Sequence, residues 1–379
     1  MSEIYFDNSS TTKVCEQAAQ KVLEMMTERY GNPSSLHTMG FEAERELTAA
    51  RTAVAQLLGT KKEEITFTSG GTEANNLSVF GAAYARKKRG NRIVTTAIEH
   101  PSVLNAMAQL EKEGFEVVYV KPDSEGHIDP QRVLEAVDAN TILVSMMAVN
   151  NEVGTILPID AAAQAIAQAK APALLHVDAV QAFGKLPLKP SKSKVDLMSV
   201  SAHKIHGPKG VGALYVASNV HIVSRAFGGG QEKNLRPGTE AMPMIAGFGA
   251  AVNALPNLAE ETKAVAQINE YCRTELAKLD GVTINSPADA LPYILNFSTG
   301  SVRSETMLHF LASKQIFVSS GSACSKAKPS HVLTAMELNR ERIHSSLRVS
   351  FSRYNTLDEA KIFMEALKQG LTEITKRPL

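Results

Sequence analysis

The sequence contains no tryptophan and only three cysteines, Cys15, Cys272 and Cys324. They are odd in number and far apart, without the paired spacing of a disulfide framework or a zinc site, so at least one thiol is free or engaged with another molecule. A surplus of charge is also missing. Forty Lys+Arg against 39 Asp+Glu leave a formal net charge of +1, which removes the broad electrostatic case for a nucleic-acid or anionic-membrane partner. No apolar run reaches the roughly 18 residues that suggest a membrane span. The first seven residues lack the basic and apolar regions of a secretory signal. A cytoplasmic chain whose partner is a small molecule or a protein is expected. Repeats, low-complexity tracts and like-charge blocks are absent too, which excludes solenoid and linker architectures.

What is present is enough chain, 379 residues with 44% hydrophobic, for about two or three packed units at roughly 150 residues each. Short β-rich runs alternate with helical patterns from about residue 64 to 216: 65–67, 92–96, 115–120, 141–144, 173–177 and 211–216. That alternation predicts an α/β sheet, largely parallel. After Pro256 the pattern changes to a long charged helix over 260–279, then to strands at 293–297 and 346–351. In the last of these Leu347, Val349 and Phe351 face one way and Arg348 and Ser350 the other. A second, α+β unit is expected there.

Four stretches carry chemistry. Thr68-Ser69-Gly70-Gly71-Thr72-Glu73 follows a strand and opens a helix, so backbone N–H groups and the Thr72 hydroxyl can meet a phosphate. His100 precedes Pro101 at a helix start just after another strand. Asp178 ends an apolar strand, with Gln181 three residues on, where side chains reach the crevice at the carboxyl edge of a sheet. Ser201-Ala202-His203-Lys204 follows a further apolar strand, which places the Lys204 amine where desolvation lowers its pKa and makes it a nucleophile. Each has an ordinary alternative: a tight turn, a capping histidine, a capping aspartate, a solvated loop lysine. Together, in this order on an α/β pattern, they are the groups that pyridoxal 5'-phosphate requires: a phosphate turn, a flat ring, an acid for a ring nitrogen, an amide for a ring hydroxyl and a buried lysine.

On these segments the chain resembles the NifS/IscS-type cysteine desulfurases, in the class V branch of the aminotransferase-like pyridoxal phosphate enzymes. Matching segments run in family order over nearly the whole chain, among them Tyr5-Phe6-Asp7-Asn8, Gly31-Asn32-Pro33-Ser34-Ser35, Glu99-His100, Asn150-Asn151-Glu152, His176-Val177-Asp178, Arg236-Pro237-Gly238-Thr239, Ser322-Ala323-Cys324 and Leu347-Arg348. The resemblance implies a fold-type I homodimer. Its large domain, 14–256, would hold a mostly parallel seven-stranded sheet, and a small α+β domain would combine 1–13 with 257–379. It implies that Lys204 holds the cofactor covalently, that His100 stacks on the ring, that Asp178 pairs with the ring nitrogen and that Gln181 bonds the ring hydroxyl. Gly71, Thr72, Ser201 and His203 would bind phosphate, with Thr239 reaching the phosphate of the other subunit. Asn32, Asn151 and Arg348 would bind the substrate carboxylate, Asn151 also touching the cofactor.

Cys324 separates reactions within this group. A lone cysteine is commonly a small buried hydrophobe, but Ser325, Lys326, Lys328 and His331 after it describe a cationic loop in which a thiolate is favoured. The implied reaction takes sulfur from L-cysteine, with Lys204 as base, Cys324 as nucleophile and His100 as proton shuttle, leaving L-alanine and a persulfide on Cys324. That sulfur would pass to an acceptor protein, an iron–sulfur scaffold or a tRNA- or cofactor-thiolation enzyme. No metal site is expected beyond a transient role for Cys324 as an iron–sulfur ligand. Only residues 325–328 separate Cys324 from Pro329, a short tether that favours a dedicated acceptor inserting its own cysteine. A class V aminotransferase, which needs Lys204 and Asp178 but no cysteine, and a non-catalytic docking subunit are the rival readings, and selenocysteine lyase activity is chemically adjacent.

Overall fold

The computed structural model describes residues 3–320 and 329–374. Its centre is a seven-stranded sheet of β2 (Ile65–Thr68), β3 (Arg92–Thr96), β4 (Glu116–Val120), β5 (Thr141–Met147), β6 (Leu174–Asp178), β7 (Leu197–Ser201) and β8 (Gly212–Val216), in the order β2-β8-β7-β6-β5-β3-β4. Every residue of β5, β6 and β7 is buried. That suits central strands covered on both faces, and explains why they read as apolar runs rather than alternations.

The sheet is parallel from β4 through β7, while β8 runs against both β7 and β2. The reason is connection length. The link from β7 to β8 spans residues 202–211, shorter than the dozen or more residues, usually with a helix, that a parallel crossover needs. β8 is therefore the one reversed strand, and β2, β3, β5, β6 and β7 all end at the same edge. Four of those ends lead into the segments singled out above.

The helices α1 (Glu16–Thr27), α2 (Thr38–Leu58), α3 (Gly71–Arg86), α4 (Pro101–Lys112), α5 (Pro130–Ala136), α6 (Ile159–Gln168) and α7 (Met242–Asn253) accompany this sheet. The charged helix expected near 260–279 is α8 (Leu258–Leu276), started by Asn257, whose side chain accepts from the N–H groups of Ala259 and Glu260. Beyond it β9 (Thr283–Ile284), β10 (Ile294–Ser298) and β12 (Ser346–Ser350) form an antiparallel sheet, and β1 (Ile4–Tyr5) pairs in parallel with β11 (Ile316–Phe317). Helices α9 (Ser304–Ser313), α10 (His331–Ala335), α11 (Arg340–His344) and α12 (Leu357–Glu373) complete the described chain. A full capping box between Thr356 and Glu359 opens α12. Phe6 packs edge-on against Phe351 and Phe363, with ring centroids 5.2 and 5.7 Å away, which fixes the N-terminal strip between this sheet and the large one. None of the described helices is long and apolar enough to cross a membrane.

Candidate active site

At the common strand edge lies a cavity of about 420 Å³ lined by Ser69, Gly70, Gly71, Thr72, Glu73, Ser201, His203, Lys209, Gly210 and, from the N-terminal strip, Ser10 and Thr11. The strand-to-helix turn that forms one wall needs both its glycines. Gly70 has φ 154° and ψ −178°, a region reached essentially only by glycine. A Cβ on Gly71 would stand 2.7 Å from Cγ2 of Val180. Free backbone N–H groups at the start of α3 therefore face the cavity, as a phosphate site demands.

Lys204 follows β7 in a single 3-10 turn and is 9% exposed. Its Nζ donates to the carbonyls of Ser9 and Ser10 at 2.5 and 2.7 Å. Burial, then the charges of Arg348 and Lys185, lower its pKa to about 7 against the pull of Asp7 and Asp178. A neutral amine that donates both its N–H bonds keeps its lone pair free. Asp178, 6% exposed, accepts from Asn75 Nδ2 at 2.7 Å and from the Val180 N–H at 3.0 Å. Asn75 also reaches Ser102 Oγ at 2.9 Å, which in turn lies 2.8 Å from His100 Nδ1. His100 Nδ1 accepts the N–H of Ser102, so the neutral ring carries its proton on Nε2. Burial holds the pKa of His100 below the usual range, with Lys204 and His331 adding to the effect and Asp178 opposing it. His203 bonds Thr11 Oγ1 at 3.1 Å, and burial with the nearby lysines lowers it to about 4.

Arg348, in β12, is 2% exposed. Its guanidinium bonds Asp7 at 2.9 Å, Ser10 Oγ at 2.7 Å and the Asn151 carbonyl at 2.9 Å. Twelve buried polar atoms find no partner among the described residues, and Arg348 Nε, Asn151 Oδ1, Gln181 Oε1 and Glu99 Oε2 are among them. Unpaired groups of this kind are expensive unless a ligand meets them. Three of them belong to residues expected from the sequence to touch cofactor or substrate. The residues present therefore fit pyridoxal phosphate: a phosphate turn, a desolvated lysine, an aspartate with no cation bonded to it among the described residues, and an orphaned amide oxygen at Gln181.

The structure brings Gly71, Thr72, His100, Asn151, Asp178, Gln181, Ser201, His203, Lys204 and Arg348 to this edge. Asn32 is not joined to them. It lies exposed in its own turn, Oδ1 accepting from the Ser34 N–H. Thr239 is likewise exposed and, among the described residues, is not part of the cavity lining of its own chain. Cys324 lies outside the described residues, whereas Cys15 and Cys272 are buried and burial pushes the Cys272 thiol up to about 12.

Sequence reasoning gave no role to Asn75, Ser9, Ser10 and Asp7, which hold the functional side chains rather than bear the reaction. Nor did it give one to Glu99, fully buried, which takes Thr96 Oγ1 and the Met147 N–H on one oxygen, while burial pushes its carboxyl up to about 8. The main-chain carbonyl of Glu99 accepts from His331, and Ser330 bonds the buried carboxylate of Glu152. The available signal was position: Glu99 adjoins His100, and Asn75 lies in the first turn after the phosphate loop.

The family model described as aminotransferase class V matches residues 4–363. The chain belongs to the class V aminotransferase family. It is 40% identical over 372 residues to cysteine desulfurase IscS of Clostridium botulinum strain Hall, a match covering 96% of this chain and 93% of that protein. A solved structure named NifS-like protein superposes with a TM-score of 0.93 at 38% identity, covering 98% of this chain and all of that one. Another, described as SspA in complex with cysteine, gives 0.83 at 34% identity, over 94% and 100% of the two chains. Within the class V family the chain is thus of the IscS/NifS cysteine desulfurase type, and the edge built from Lys204, Asp178 and His100 is the candidate active site of that desulfurase.

Proposed function

We propose that the protein removes sulfur from L-cysteine with pyridoxal phosphate, giving L-alanine and a persulfide on Cys324 that is handed to an acceptor protein. The observation that carries the reading is Lys204, a buried amine lowered to about 7 beside an aspartate and a phosphate turn on one strand edge. Gly71, Thr72, Ser201 and His203 would hold the phosphate, Gln181 the ring hydroxyl and Asp178 the protonated ring nitrogen. When bound, the cofactor supplies an electron sink for the charge that develops on the substrate Cα.

The chain's own residues supply the rest. Lys204 Nζ, its pKa lowered to about 7 so that much of it is neutral at neutral pH, takes the proton from Cα. Arg348 and Asn151 hold the substrate carboxylate. Asn32 joins them only if its exposed turn moves in. His100 offers its Nε2 proton at the ring face. The Cys324 thiolate forms an S–S bond to the substrate sulfur as the C–S bond breaks, the electron pair staying with carbon, which takes up protons to become alanine. Cysteine and one thiol become alanine and one persulfide, with no external oxidant or reductant. The acceptor is a protein that brings its own cysteine to the Cys324 persulfide, and the phosphate cradle is completed by Thr239 of a second copy.

Incubating the purified protein with pyridoxal phosphate and L-cysteine should yield alanine and, by mass spectrometry, a persulfide on the peptide containing Cys324. Cys324→Ser should still change the cofactor absorbance on adding cysteine but form neither product. Near wild-type sulfur release from that variant would move the reading to an eliminative lyase.

A further inference from the structure

The segment leading to Thr239 is held in an unusual way. Glu232, Lys233 and Asn234 have φ values of 44°, 56° and 62° in succession, left-handed backbone that side-chain-bearing residues avoid. Such a turn persists only where its surroundings over-determine it. The Glu232 carboxylate, nearly buried, receives both Arg51 Nη1 and Nη2 at 2.7 Å and the backbone N–H of Phe67 at 3.0 Å. Arg51, on α2, also donates to the Ile65 carbonyl at 2.7 Å and lies 4.9 Å from the centre of the Phe67 ring. Lys233 Nζ donates to the Glu63 carbonyl at 2.6 Å. All these anchors belong to α2, to β2 or to the residues just before β2, the strand that runs into the phosphate turn.

A second fastening lies further along. Arg236 Nε pairs with one oxygen of Glu73 at 3.0 Å, and the other oxygen accepts the Ser69 N–H at 2.5 Å. Burial alone would raise the Glu73 carboxyl, but the bonds from Ser69 and Arg236 outweigh it and hold it below the usual range. Both carboxylates thus grip backbone N–H groups of the strand and turn that form the cradle, and both arginine pairs join that backbone to the segment carrying Thr239. A buried ion pair is a poor source of stability compared with apolar packing, so its placement here calls for a positional reason.

Resting on the pyridoxal phosphate reading, we propose that Arg51–Glu232 and Arg236–Glu73 are positioning pairs that tie the 231–240 arm to the phosphate turn of its own subunit, so that filling one cradle sets the Thr239 arm delivered to the cradle of a second copy. The two sites of a dimer are then mechanically coupled through ion pairs of which only Glu73 lines the cavity.

Hydrogen exchange on the full chain, with and without pyridoxal phosphate, tests the coupling. In the wild type the cofactor should slow amide exchange by about tenfold or more at both 69–72 and 231–240. In Glu232→Gln it should still slow 69–72 and leave 231–240 nearly unaffected. Arg236→Gln, at a more exposed pair, should act the same way and carries the test if Glu232→Gln does not fold. Protection of 231–240 that survives in the variant overturns the proposal, as does a wild type in which 69–72 is protected and 231–240 is not. No protection at 69–72 in the wild type overturns the cofactor reading itself, and this proposal with it.

Discussion

Lys204 does its work because of what surrounds it, and one neighbour is open to a direct test. Lys185 is 7% exposed, with its ammonium 5.5 Å from the centre of the Tyr293 ring, and burial lowers it to about 8. Its charge is among those that keep the Lys204 amine neutral. Lys204 should capture pyridoxal phosphate with a rate that rises as pH passes about 7, since only the neutral amine reacts. In Lys185→Met the midpoint should move to higher pH, read from absorbance on adding cofactor to cofactor-free protein; an unmoved or lower midpoint removes Lys185 from this role. Stability has the same sign. The folded pKa of Lys204, about 7, lies below its ordinary 10.5, so the unfolded chain binds more protons between these values and this group makes the protein more stable as pH rises through that window. Arg348 offers a second test. Arg348→Lys loses a planar fork, which should cost roughly 1.5–3 kcal/mol, or about 10- to 150-fold, in KM for cysteine while cofactor still binds. An unchanged KM would place the carboxylate site elsewhere.

At the scale of elements, the site is a set of strand ends. The turn into α3 packs so closely on the turn after β6 that Gly71→Ala should overpack against Val180, costing about 1–3 kcal/mol and weakening cofactor binding measured by equilibrium dialysis. Val180→Ala in the same chain removes the obstructing Cγ2 and should restore most of that affinity. If the double variant binds no better than Gly71→Ala alone, the Val180 contact is not what the added methyl disturbs. These turns were legible in the sequence because Gly70-Gly71, His100-Pro101 and Asp178 each follow an apolar run. The reversed direction of β8 was not, since an apolar run carries no sign of its direction; the short 202–211 connection supplies it only once β7 and β8 are known to be neighbours.

For the whole molecule, the exposed Thr239 and the apolar side chains left in water bear on assembly. Leu23, Met26, Tyr30, Leu36 and Phe41 near the N-terminal helices, and Phe227 just before the arm, are all more than half exposed, a composition typical of surfaces that meet another chain. Complementation separates the two ways Thr239 could act. Mixing Lys204→Ala subunits with Thr239→Val subunits should produce hybrid dimers with one intact site, regaining part of the activity that neither parent has. No recovery in demonstrated hybrids would mean that Thr239 serves its own subunit or none.

The order of apolar runs and glycine turns, together with a few side chains of distinctive chemistry, was sufficient to specify the α/β class and the family, and to single out the strand-end residues on which the pyridoxal phosphate reading rests, because a strand end is a local event and the residues that follow it are adjacent in the chain. What only the tertiary structure decided is how distant segments meet. Asp7 and Ser10 engage Arg348 across more than 300 residues of chain, Asn75 reaches Asp178 across 103, and Glu232 locks to Arg51 across 181. Ser10, Asn75, Arg51 and Glu232 are unremarkable in their local sequence. Their pairing follows from the folding of the N-terminal strip and the 231–240 arm onto the sheet, which brings their charges within reach and, by burial, makes those contacts matter.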